Sequence, residues 1–305
     1  MKCKVCREPA VLEIRRHHAV FCAAHFFEHM TRQVERTIHD FDMLQPTDRL
    51  LLGVSGGKDS LALWDILTDL GYTVDGVYLE LGIGGEAGYS SESLKLAAQY
   101  AKNRDLNLKV VDLAEAYGYT IPEAAAETRR VACSVCGLSK RYILNKEALD
   151  GGYDVLVMGH NLDDEAATLM ANTLNWNVEY IGRQQPVLPA TKEGLVRKVK
   201  PLLRIAERET AAYCVLKGID YEVDECPMVG GNTGIRIKEW LNILESQRPG
   251  AKQQFLFGFL DRVSDQFATA QQEQVELEEC SNCGQPTTAG ECAFCRLQVR
   301  MSSRG

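Results

Sequence analysis

The stretch that decides the fold is Leu50-Leu51-Leu52-Gly53-Val54-Ser55-Gly56-Gly57-Lys58-Asp59-Ser60. Its first half is short and apolar and ends at glycines, which is typical of a buried parallel strand. A helix is predicted directly after it over residues 60–70, and it ends before Gly71. A buried strand that leads straight into a helix predicts the first unit of a βαβ fold.

Strands and helices continue to alternate after this stretch. Further strands are predicted at residues 74–81, 108–113 and 153–158, with intervening helices at residues 91–104 and 137–149. Strands separated by helices of this length predict an α/β fold with a doubly wound parallel sheet. Beyond residue 164 we expect a helix, an irregular proline-containing stretch, and helices at residues 207–216, 235–245 and 252–270.

The chain divides into five predicted regions. A cysteine/histidine unit at residues 1–30 is followed by a linker helix at residues 31–48, in a stretch where Met30, Val34 and Ile38 recur at helical spacing. The α/β domain follows at residues 49–225. A helical extension at residues 226–273 and a second cysteine unit at residues 274–305 complete the chain.

Composition predicts a soluble protein with a hydrophobic core. Of 305 residues, 45% are hydrophobic and 25% are charged. No apolar run approaches the roughly 18 residues that span a bilayer. The first residues also lack the basic-then-apolar pattern of a secretory signal. We therefore expect a cytoplasmic protein with no membrane partner.

The net charge of −8 argues against a protein that simply wraps nucleic acid. Two segments are nevertheless locally basic. Residues 129–146 hold five basic residues and no acid, and residues 192–208 hold six basic residues against two acids. Each segment is either a contact surface for RNA phosphates or an ordinary solvated face.

The turn Ser55-Gly56-Gly57-Lys58-Asp59-Ser60 has the chemistry of a phosphate-binding loop. Its glycines let the backbone approach an anion closely, and the following helix presents free N–H groups and a positive dipole end. The usual P-loop pattern fails, since it needs glycine at Leu52 and serine or threonine at Asp59. A Gly-Gly turn after a strand usually has no role in binding, but the full hexapeptide is a more specific signal of a phosphate site.

This hexapeptide resembles the signature of the PP-loop ATPase family, whose domain is an α/β fold of the HUP-like kind. The resemblance extends to Gly159-His160-Asn161-Leu162-Asp163-Asp164-Glu165 at the end of the fourth predicted strand. Members generally cleave ATP between the α and β phosphates and adenylate a carbonyl oxygen. Because ligands bind beyond the carboxyl ends of parallel strands, both motifs are expected at one pocket. The alternative for the acidic triplet is a match to a helix dipole.

Eleven cysteines, with four Cys-x-x-Cys pairs among them, call for an explanation. Disulfides rarely persist in a reducing cytosol, so the clusters indicate metal or redox chemistry. Two terminal groups have the spacing of closed, structural four-ligand zinc sites, and His29 competes with His25 in the first. The alternatives are iron or no metal. The groups are Cys3, Cys6, Cys22 and His25, and Cys280, Cys283, Cys292 and Cys295.

Cys133 and Cys136 lie between the third and fourth predicted strands without a second pair nearby. The nearest plausible third ligand is Cys226, before a proline, whereas Cys214 is expected in the core. Three thiolates leave one iron of a cubane cluster without a protein ligand. A redox dithiol and a persulfide carrier are the alternatives.

With these cysteine groups, nearly the whole chain resembles the tRNA 2-thiouridine synthetases of the TtuA type. These enzymes have an N-terminal zinc finger, a PP-loop domain, three cluster-binding cysteines and a C-terminal zinc finger, in this order. The wobble-uridine enzymes of archaea and eukaryotes share the layout. The bacterial two-thiocytidine enzymes lack the zinc fingers, and lysidine synthetases lack the cysteines.

The resemblance implies an ATP-dependent tRNA uridine 2-sulfurtransferase that works in two steps. ATP, with Mg²⁺, activates the uridine C2 oxygen as an adenylate and releases pyrophosphate. Sulfur held on the open iron of a 4Fe-4S cluster then attacks C2 and expels AMP. The implied partners are tRNA, a ubiquitin-like sulfur carrier with a C-terminal thiocarboxylate, and a second copy of the chain in a homodimer.

By matching positions, the resemblance implies that Lys140 and Asp164 are catalytic. Lys140 would stabilise developing negative charge, and Asp164 would hold Mg²⁺ or orient the nucleotide; a surface salt bridge is the alternative for both. The glycines of Gly82-x-Gly84-Gly85 are expected to let the preceding backbone contact the adenine. The implied nucleotide-binding residues are Gly53, Val54, Ser55, Gly56, Gly57, Lys58, Asp59, Ser60, Leu79, Ile83, Gly159 and Asp164.

Layout and length favour 5-methyluridine 54 of the tRNA T-loop as the substrate, with the wobble uridine 34 as the alternative. Three other classes of protein compete with this assignment. One is a non-catalytic zinc-finger RNA-binding protein, which the intact Lys58, Asp59 and Asp164 argue against. The second is a sulfurtransferase with a persulfide on Cys133 or Cys136. The third is an amide-forming ligase, in which the central cysteines have no evident use.

Overall fold

Six strands form the central sheet in a computed structural model of the chain, which describes residues 1–84, 88–230, 233–267 and 277–303. The N-terminal unit holds the hairpin β1–β2 and the C-terminal unit the pair β9–β10. The strands are β1 Leu12–Ile14, β2 Ala19–Phe21, β3 Leu50–Val54, β4 Val74–Glu80, β5 Leu108–Asp112, β6 Val155–Val157, β7 Val187–Leu188, β8 Arg197–Val199, β9 Glu278–Glu279 and β10 Pro286–Thr287.

Helices cover both faces of this sheet and form the extension after it. Arg15–His17 and Pro201–Arg204 are short 3₁₀ turns. None of the helices in the described ranges has the length and hydrophobicity needed to cross a membrane. The α-helices are α1 Ala23–Asp40, α2 Lys58–Asp69, α3 Tyr89–Asn103, α4 Leu113–Tyr117, α5 Ile121–Thr128, α6 Ala132–Asp150, α7 Leu162–Leu174, α8 Val178–Gly182, α9 Glu207–Lys217, α10 Thr233–Gln247, α11 Ala251–Arg262 and α12 Ala293–Ser302.

The strand order is β5-β4-β3-β6-β8-β7, with every pairing parallel except that of β7 and β8. The order reverses between β3 and β6, which makes this the topological switch point of a doubly wound sheet. The predicted fold class is confirmed. Strands β7 and β8 lie in the stretch predicted to be irregular. They carry no strand signal in the sequence, because they are two and three residues long and β8 begins with two basic residues.

Alternate residues of β3 face opposite sides of the sheet. Leu50, Leu52 and Val54 pack in a cluster with helices α1, α2 and α9, whereas Leu51 packs in a second cluster with α5, α6 and the C-terminal unit. A strand that is buried on both faces reads as a continuous apolar run, which explains the sequence signal of this stretch.

Three helices differ from their predicted bounds by about five residues or more. Helix α6 begins at Ala132 rather than residue 137, so Cys133 and Cys136 lie in its first turns. Helix α1 begins at Ala23 and ends at Asp40, so it passes without a break through the predicted boundary at residues 30 and 31. Helix α11 ends at Arg262, and residues 268–270 of the predicted helix lie outside the described residues, as does the predicted boundary at residues 273 and 274.

A buried ion pair fastens the N-terminal unit to the α/β domain. The Arg16 guanidinium donates to both carboxylate oxygens of Glu209 on α9, at 2.5 and 2.6 Å, and to the Arg204 carbonyl at 3.0 Å. The two side chains are only 5% and 1% exposed. Glu209 also accepts from the Ala206 N–H at the start of α9. The hairpin unit is therefore anchored at the N-terminus of α9.

Replacing Arg16 with Met should reduce the free energy of unfolding by roughly 3–5 kcal/mol, because it leaves the Glu209 carboxylate buried without its partner. Denaturant unfolding measures this loss. The double variant Arg16→Met/Glu209→Gln removes both charges and keeps an acceptor for the Ala206 N–H, so it should recover most of the loss. Equal stability of the single variant and the wild type would contradict this account.

Candidate active site

The structure brings the four predicted N-terminal ligands together. Their ligand atoms lie within 4.8 Å of one another. The Cys6 and Cys22 sulfurs are 3.7 Å apart, and His25 Nδ1 is 3.2 Å from the Cys22 sulfur and 3.6 Å from the Cys3 sulfur. Tetrahedral thiolates at about 2.3 Å from zinc place neighbouring sulfurs about 3.8 Å apart, so these donors fit a zinc ion. His29 instead stacks on Phe21, outside this group.

The C-terminal group has the same geometry. The Cys280–Cys295 and Cys283–Cys292 sulfur pairs are each 3.8 Å apart. Backbone N–H groups hold the first cysteine of each Cys-x-x-Cys pair. The Cys292 N–H donates to the Cys280 sulfur at 3.2 Å, and the Cys295 N–H donates to the Cys292 sulfur at 3.3 Å. In both groups a cysteine is the N-cap of a helix, Cys22 for α1 and Cys292 for α12. The two-residue spacing thus places the next ligand on the first helical turn.

A cavity of about 310 Å³ opens at the switch point of the sheet. Because the sequence predicts a nucleotide there, we call it the nucleotide cavity. Both sequence motifs contribute to its wall, as expected for residues that follow β3 and β6. Its lining includes the predicted nucleotide-binding residues Gly53, Val54, Ser55, Asp59, Ser60, Leu79, Gly159 and Asp164, together with Lys140 from α6.

The loop between β3 and α2 has a backbone that only glycine allows. Gly56 has a φ of 75°, and a Cβ there would lie 2.3 Å from the Ser93 carbonyl oxygen. Gly57 caps α2 without a side-chain hydrogen bond to the helix. The Ser60 hydroxyl accepts from the Ser55 N–H at 3.2 Å and donates to the Gly57 carbonyl at 3.0 Å. The loop is thus held in shape while the start of α2 keeps N–H groups for an anion.

Lys58 belongs to this loop but does not line the same cavity. Its ammonium bonds Glu207 Oε1 at 2.9 Å and Asp59 Oδ2 at 3.3 Å, and it faces a neighbouring cavity of about 740 Å³. Burial lowers the pKa of Lys58, but the carboxylates of Asp59 and Glu207 outweigh burial and raise it above its usual range. Lys58 is therefore a fixed positive charge at the boundary of the two cavities.

Asp59 and Asp164 form the acidic side of the nucleotide cavity. Asp59 Oδ1 accepts from the Asn161 amide at 3.0 Å and the Thr210 hydroxyl at 2.5 Å. Burial raises the pKa of Asp59; Lys58 opposes this shift and the Asp164 charge adds to it. Two carboxylates that repel one another in a cavity attract a cation, and Mg²⁺ typically uses one or two carboxylates besides phosphate oxygens.

Only Asp164 of the acidic triplet faces the cavity. Asp163 is buried, where it accepts from the Glu207 N–H at 2.9 Å and pairs with Lys252. Glu165 is also buried and pairs with Lys200 at 2.7 Å. These two acids hold neighbouring elements together. Asp164 also caps α7, because its Oδ2 accepts from the Asn161 N–H at 3.1 Å, so the helix-terminus alternative applies to it alongside its place in the cavity wall.

The predicted adenine contact is only partly reproduced. Leu79 lines the cavity, but Ile83 does not, because Ser90 occupies both its N–H, at 3.1 Å, and its carbonyl, at 3.0 Å. Gly85 lies outside the described residues. The missed residues on this wall are Tyr78 and Tyr89, two aromatic side chains for which the sequence carries no motif.

The central cysteines lie beside the nucleotide cavity. Burial raises the pKa of the Cys136 thiol; Lys140 lowers it, and the nearby Cys226 and Cys133 raise it further. Lys140 lies one helical turn after Cys136, and its charge acts on this thiol. Lys140 thus lies next to the cysteine group and also lines the nucleotide cavity.

The three thiols do not form a tight group like the two terminal groups, which within the described ranges are the ones whose ligand atoms all lie within 4.8 Å of one another. A cubane cluster does not need such a group, because its thiolates bind separate irons. Cys226 lines the larger cavity, and Tyr89 lines both cavities. Cys214 is fully buried in the core, as expected.

The C-terminal unit supports the helix that carries this chemistry. The ring of Phe294 stacks on Tyr142 of α6 with centroids 3.7 Å apart. The Asn145 side chain donates to the Gln285 side chain at 2.8 Å. The C-terminal cysteine unit therefore packs directly on α6, which positions Cys133, Cys136 and Lys140.

Both basic segments keep some side chains accessible. Arg129 and Arg130 are exposed immediately before α6. In the second segment, Lys200 and Arg204 form ion pairs with acidic residues, whereas Lys192 and Arg208 are exposed. Exposure therefore does not favour one segment over the other as a contact for an anion.

Comparisons with known proteins give the family of the chain. Residues 27–228 match the model of the PP-loop domain family, and residues 2–27 match the N-terminal LIM domain of 2-thiouridine synthetase TtuA. A tRNA-5-methyluridine(54) 2-sulfurtransferase of Thermus thermophilus is 48% identical over 97% of this chain and 91% of its own. The protein of the same name from Pyrococcus horikoshii is 41% identical over 97% and 93%.

A solved structure shares the fold. The U34-tRNA thiolase NcsA from Methanococcus maripaludis, determined with its [4Fe-4S] cluster, superposes with a TM-score of 0.78 at 23% identity, covering 98% of this chain and 96% of that one. At this identity the likeness concerns the fold. Together with the full-length relatives and the family matches, these findings show that the chain belongs to the PP-loop family and, within it, to the tRNA 2-thiouridine synthetases of the TtuA type.

Proposed function

We propose that this chain is an ATP-dependent tRNA 2-sulfurtransferase that converts 5-methyluridine 54 of the T-loop to its 2-thio form. The observation that carries the proposal is the position of Lys140, which lines the nucleotide cavity and lies one helical turn after Cys136, where its charge lowers the pKa of that thiol. An activated base and a sulfur source would therefore meet at one side chain. Relatives that are 48%, 41% and 38% identical bear the name of this activity.

In the first step, ATP would bind with its phosphates at the loop 55–60 and its adenine near Leu79. Two carboxylates, Asp59 and Asp164, are suited to hold Mg²⁺ against the phosphates, and the N-terminus of α2 supplies N–H donors. The uridine C2 oxygen attacks the α phosphorus and pyrophosphate leaves. Lys140 would offset the negative charge that develops on the phosphate oxygens in this step.

In the second step, the C2 oxygen leaves with AMP, and sulfur takes its place. Cys133, Cys136 and Cys226 would hold the 4Fe-4S cluster, and their donor set suits it because all three are thiols and the first two lie on adjacent turns of α6. When bound, the cluster supplies an iron without a protein ligand, which can hold sulfur. The low exposure around Cys136 would keep water from the adenylate.

The remaining parts of the proposal concern partners and organisation. The two terminal groups would each hold one structural zinc ion, because four protein ligands leave no open position. The sulfur donor would be a ubiquitin-like protein with a C-terminal thiocarboxylate, and the chain would act as a homodimer in the cytoplasm. Relatives named cytoplasmic tRNA 2-thiolation protein 1 support the last point. The chain would have the five regions predicted from the sequence, and the boundary at residues 30 and 31 would lie inside helix α1.

The wobble uridine 34 is the second candidate substrate, since the shared fold of the U34-tRNA thiolase favours it. Mass spectrometry of tRNA nucleosides from a strain that lacks this gene separates the two. Loss of 2-thio-5-methyluridine is expected. Loss of a 2-thiouridine derivative at position 34 instead would move the assignment to the wobble base, and persistence of every thiolated uridine would refute both.

Replacing Lys140 with Ala should lower the rate of thiolation by about 10²–10³-fold, because a positioned donor to a developing charge contributes this much. Iron content should persist, since the three thiols remain. Lys146→Ala is the matched control, because Lys146 lies on the same helix and pairs only with the surface residue Asp150. Thiolated nucleoside per minute is measured with purified protein, tRNA and ATP; unchanged turnover in Lys140→Ala would remove Lys140 from the mechanism.

A further inference from the structure

Lys238 lies on α10, outside every sequence motif, yet its ammonium reaches the nucleotide site. It bonds Asp164 Oδ1 at 2.6 Å and Glu207 Oε2 at 3.2 Å. Its side chain is 27% exposed and lines the larger cavity, whereas Asp164 lines the nucleotide cavity. The Lys238–Asp164 bond therefore crosses the boundary between the two cavities.

The Glu207 carboxylate stands between two ammonium groups. Its Oε1 accepts from Lys58 at 2.9 Å, and its Oε2 accepts from Lys238 at 3.2 Å. The result is a continuous row of alternating charges, Lys58, Glu207, Lys238 and Asp164, along the boundary of the nucleotide cavity. A carboxylate held by two ammoniums from opposite elements marks a position suited to an oxyanion.

Both lysines lie among carboxylates. Lys238 bonds Asp164 and Glu207, and Lys58 bonds Asp59 and Glu207. Both side chains also line the larger cavity. The two ammoniums therefore lie together on the side of the loop 55–60 that faces this cavity.

We propose that Lys238 is a further pyrophosphate-binding residue, which together with Lys58 takes the β and γ phosphates of ATP in the place now held by the Glu207 carboxylate. This rests on the proposed function, in which ATP occupies the cavity at the switch point. Lys238 thus belongs to the site of the leaving group rather than to a surface ion pair that merely tethers α10.

The exchange of partners follows from the charges. Asp164 would hold Mg²⁺ when ATP is bound, and the Lys238 ammonium would then be available to a phosphate oxygen. When the bond between the α phosphorus and the bridging oxygen breaks, its electron pair stays on the pyrophosphate. Two adjacent ammoniums offset that added charge, and they do so where water is partly excluded.

The test compares Lys238→Met with the wild-type protein by calorimetry, using magnesium pyrophosphate and AMP as separate probes. We expect Lys238→Met to weaken pyrophosphate binding by about 10–100-fold while AMP binding stays within about 2-fold, because only pyrophosphate meets the lost ammonium. Lys238→Arg should keep most of the affinity. The matched control is Lys217→Met: Lys217 is 26% exposed and bonds Asp65 and Asp69 at 3.0 and 3.1 Å, and this variant should change neither probe.

A second variant tests the proposal with the opposite sign. Glu207→Gln keeps the shape of the bridging group and removes its charge, so it should tighten pyrophosphate binding by about 3- to 10-fold. If Lys238→Met binds pyrophosphate as the wild type does, or loses pyrophosphate and AMP equally, Lys238 is only a structural tether. If the wild-type protein binds neither pyrophosphate nor ATP, the proposed function fails as well; wild-type binding with an indifferent Lys238→Met refutes the inference alone.

Discussion

Replacement of Cys226 by Ser is expected to abolish uridine thiolation and the retention of iron, while zinc stays at two ions per chain. The physical reason is that a serine oxygen is a poor substitute for a thiolate at iron, and only three thiols are available to the cluster. We expect thiolation to fall by more than about 100-fold, since the loss of an outer-shell partner of a metal ligand already costs roughly 10–100-fold. Iron, acid-labile sulfide and zinc are measured on protein purified without oxygen.

Cys214→Ala is the matched control for this variant. It also removes one cysteine, but Cys214 is fully buried on α9, where its sulfur donates only to the Lys58 carbonyl at 3.4 Å. It should keep iron, zinc and thiolation. Normal thiolation by Cys226→Ser would exclude a three-cysteine cluster. Full activity of a wild-type protein without iron would instead favour a persulfide on Cys133 or Cys136.

Lys58→Ala is expected to remove adenylation while iron content stays at the wild-type level. The ammonium of Lys58 is a fixed charge beside the loop that receives the phosphates, and losing such a group costs about 10²–10³-fold in rate. The fold should tolerate the change, because Glu207 keeps its second partner, Lys238, at 3.2 Å. Pyrophosphate release that depends on tRNA is the measurement, and it separates the first step from sulfur transfer.

The control for Lys58→Ala is Lys95→Ala, which removes an exposed lysine of α3 that pairs with Glu92 one turn away. Its rate of pyrophosphate release should match that of the wild type. If Lys58→Ala releases pyrophosphate as fast as this control, the loop 55–60 does not bind the phosphates of ATP. If it loses iron as well, the two steps share more structure than the proposal assigns to them.

Short-range signals made much of the candidate site predictable. The ligands of the two terminal groups could be predicted from two-residue spacings, because a Cys-x-x-Cys or Cys-x-x-His segment places both of its ligands on the same side of the chain. The phosphate loop follows from a strand, two glycines and a helix start. Asp164 can be recognised through its motif. Its neighbours Asp163 and Glu165 are acidic as well, and only the structure shows that these two are buried in ion pairs with Lys252 and Lys200.

Long-range contacts escaped prediction. Lys238, Glu207 and Tyr89 belong to no pattern, since each reaches the site by the packing of a separate helix and none is spaced regularly from its partners. Strands β7 and β8 were missed because two or three residues carry no periodicity. Ile83 was assigned to the nucleotide on the basis of adjacent glycines, whereas Ser90, seven residues later, occupies its backbone groups.

The sequence by itself determined the order of elements, the doubly wound sheet and the residue types that the chemistry needs, because apolar periodicity, glycine turns and ligand spacing act over a few residues. Only the tertiary structure decided which of these groups meet. Residues 136 and 226 are ninety positions apart, and Lys58 and Glu207 are still farther apart; what joins them is the packing of α6, α9 and α10 at the carboxyl edge of β3 and β6. Distance in space is set by burial of the whole core, which no local pattern encodes.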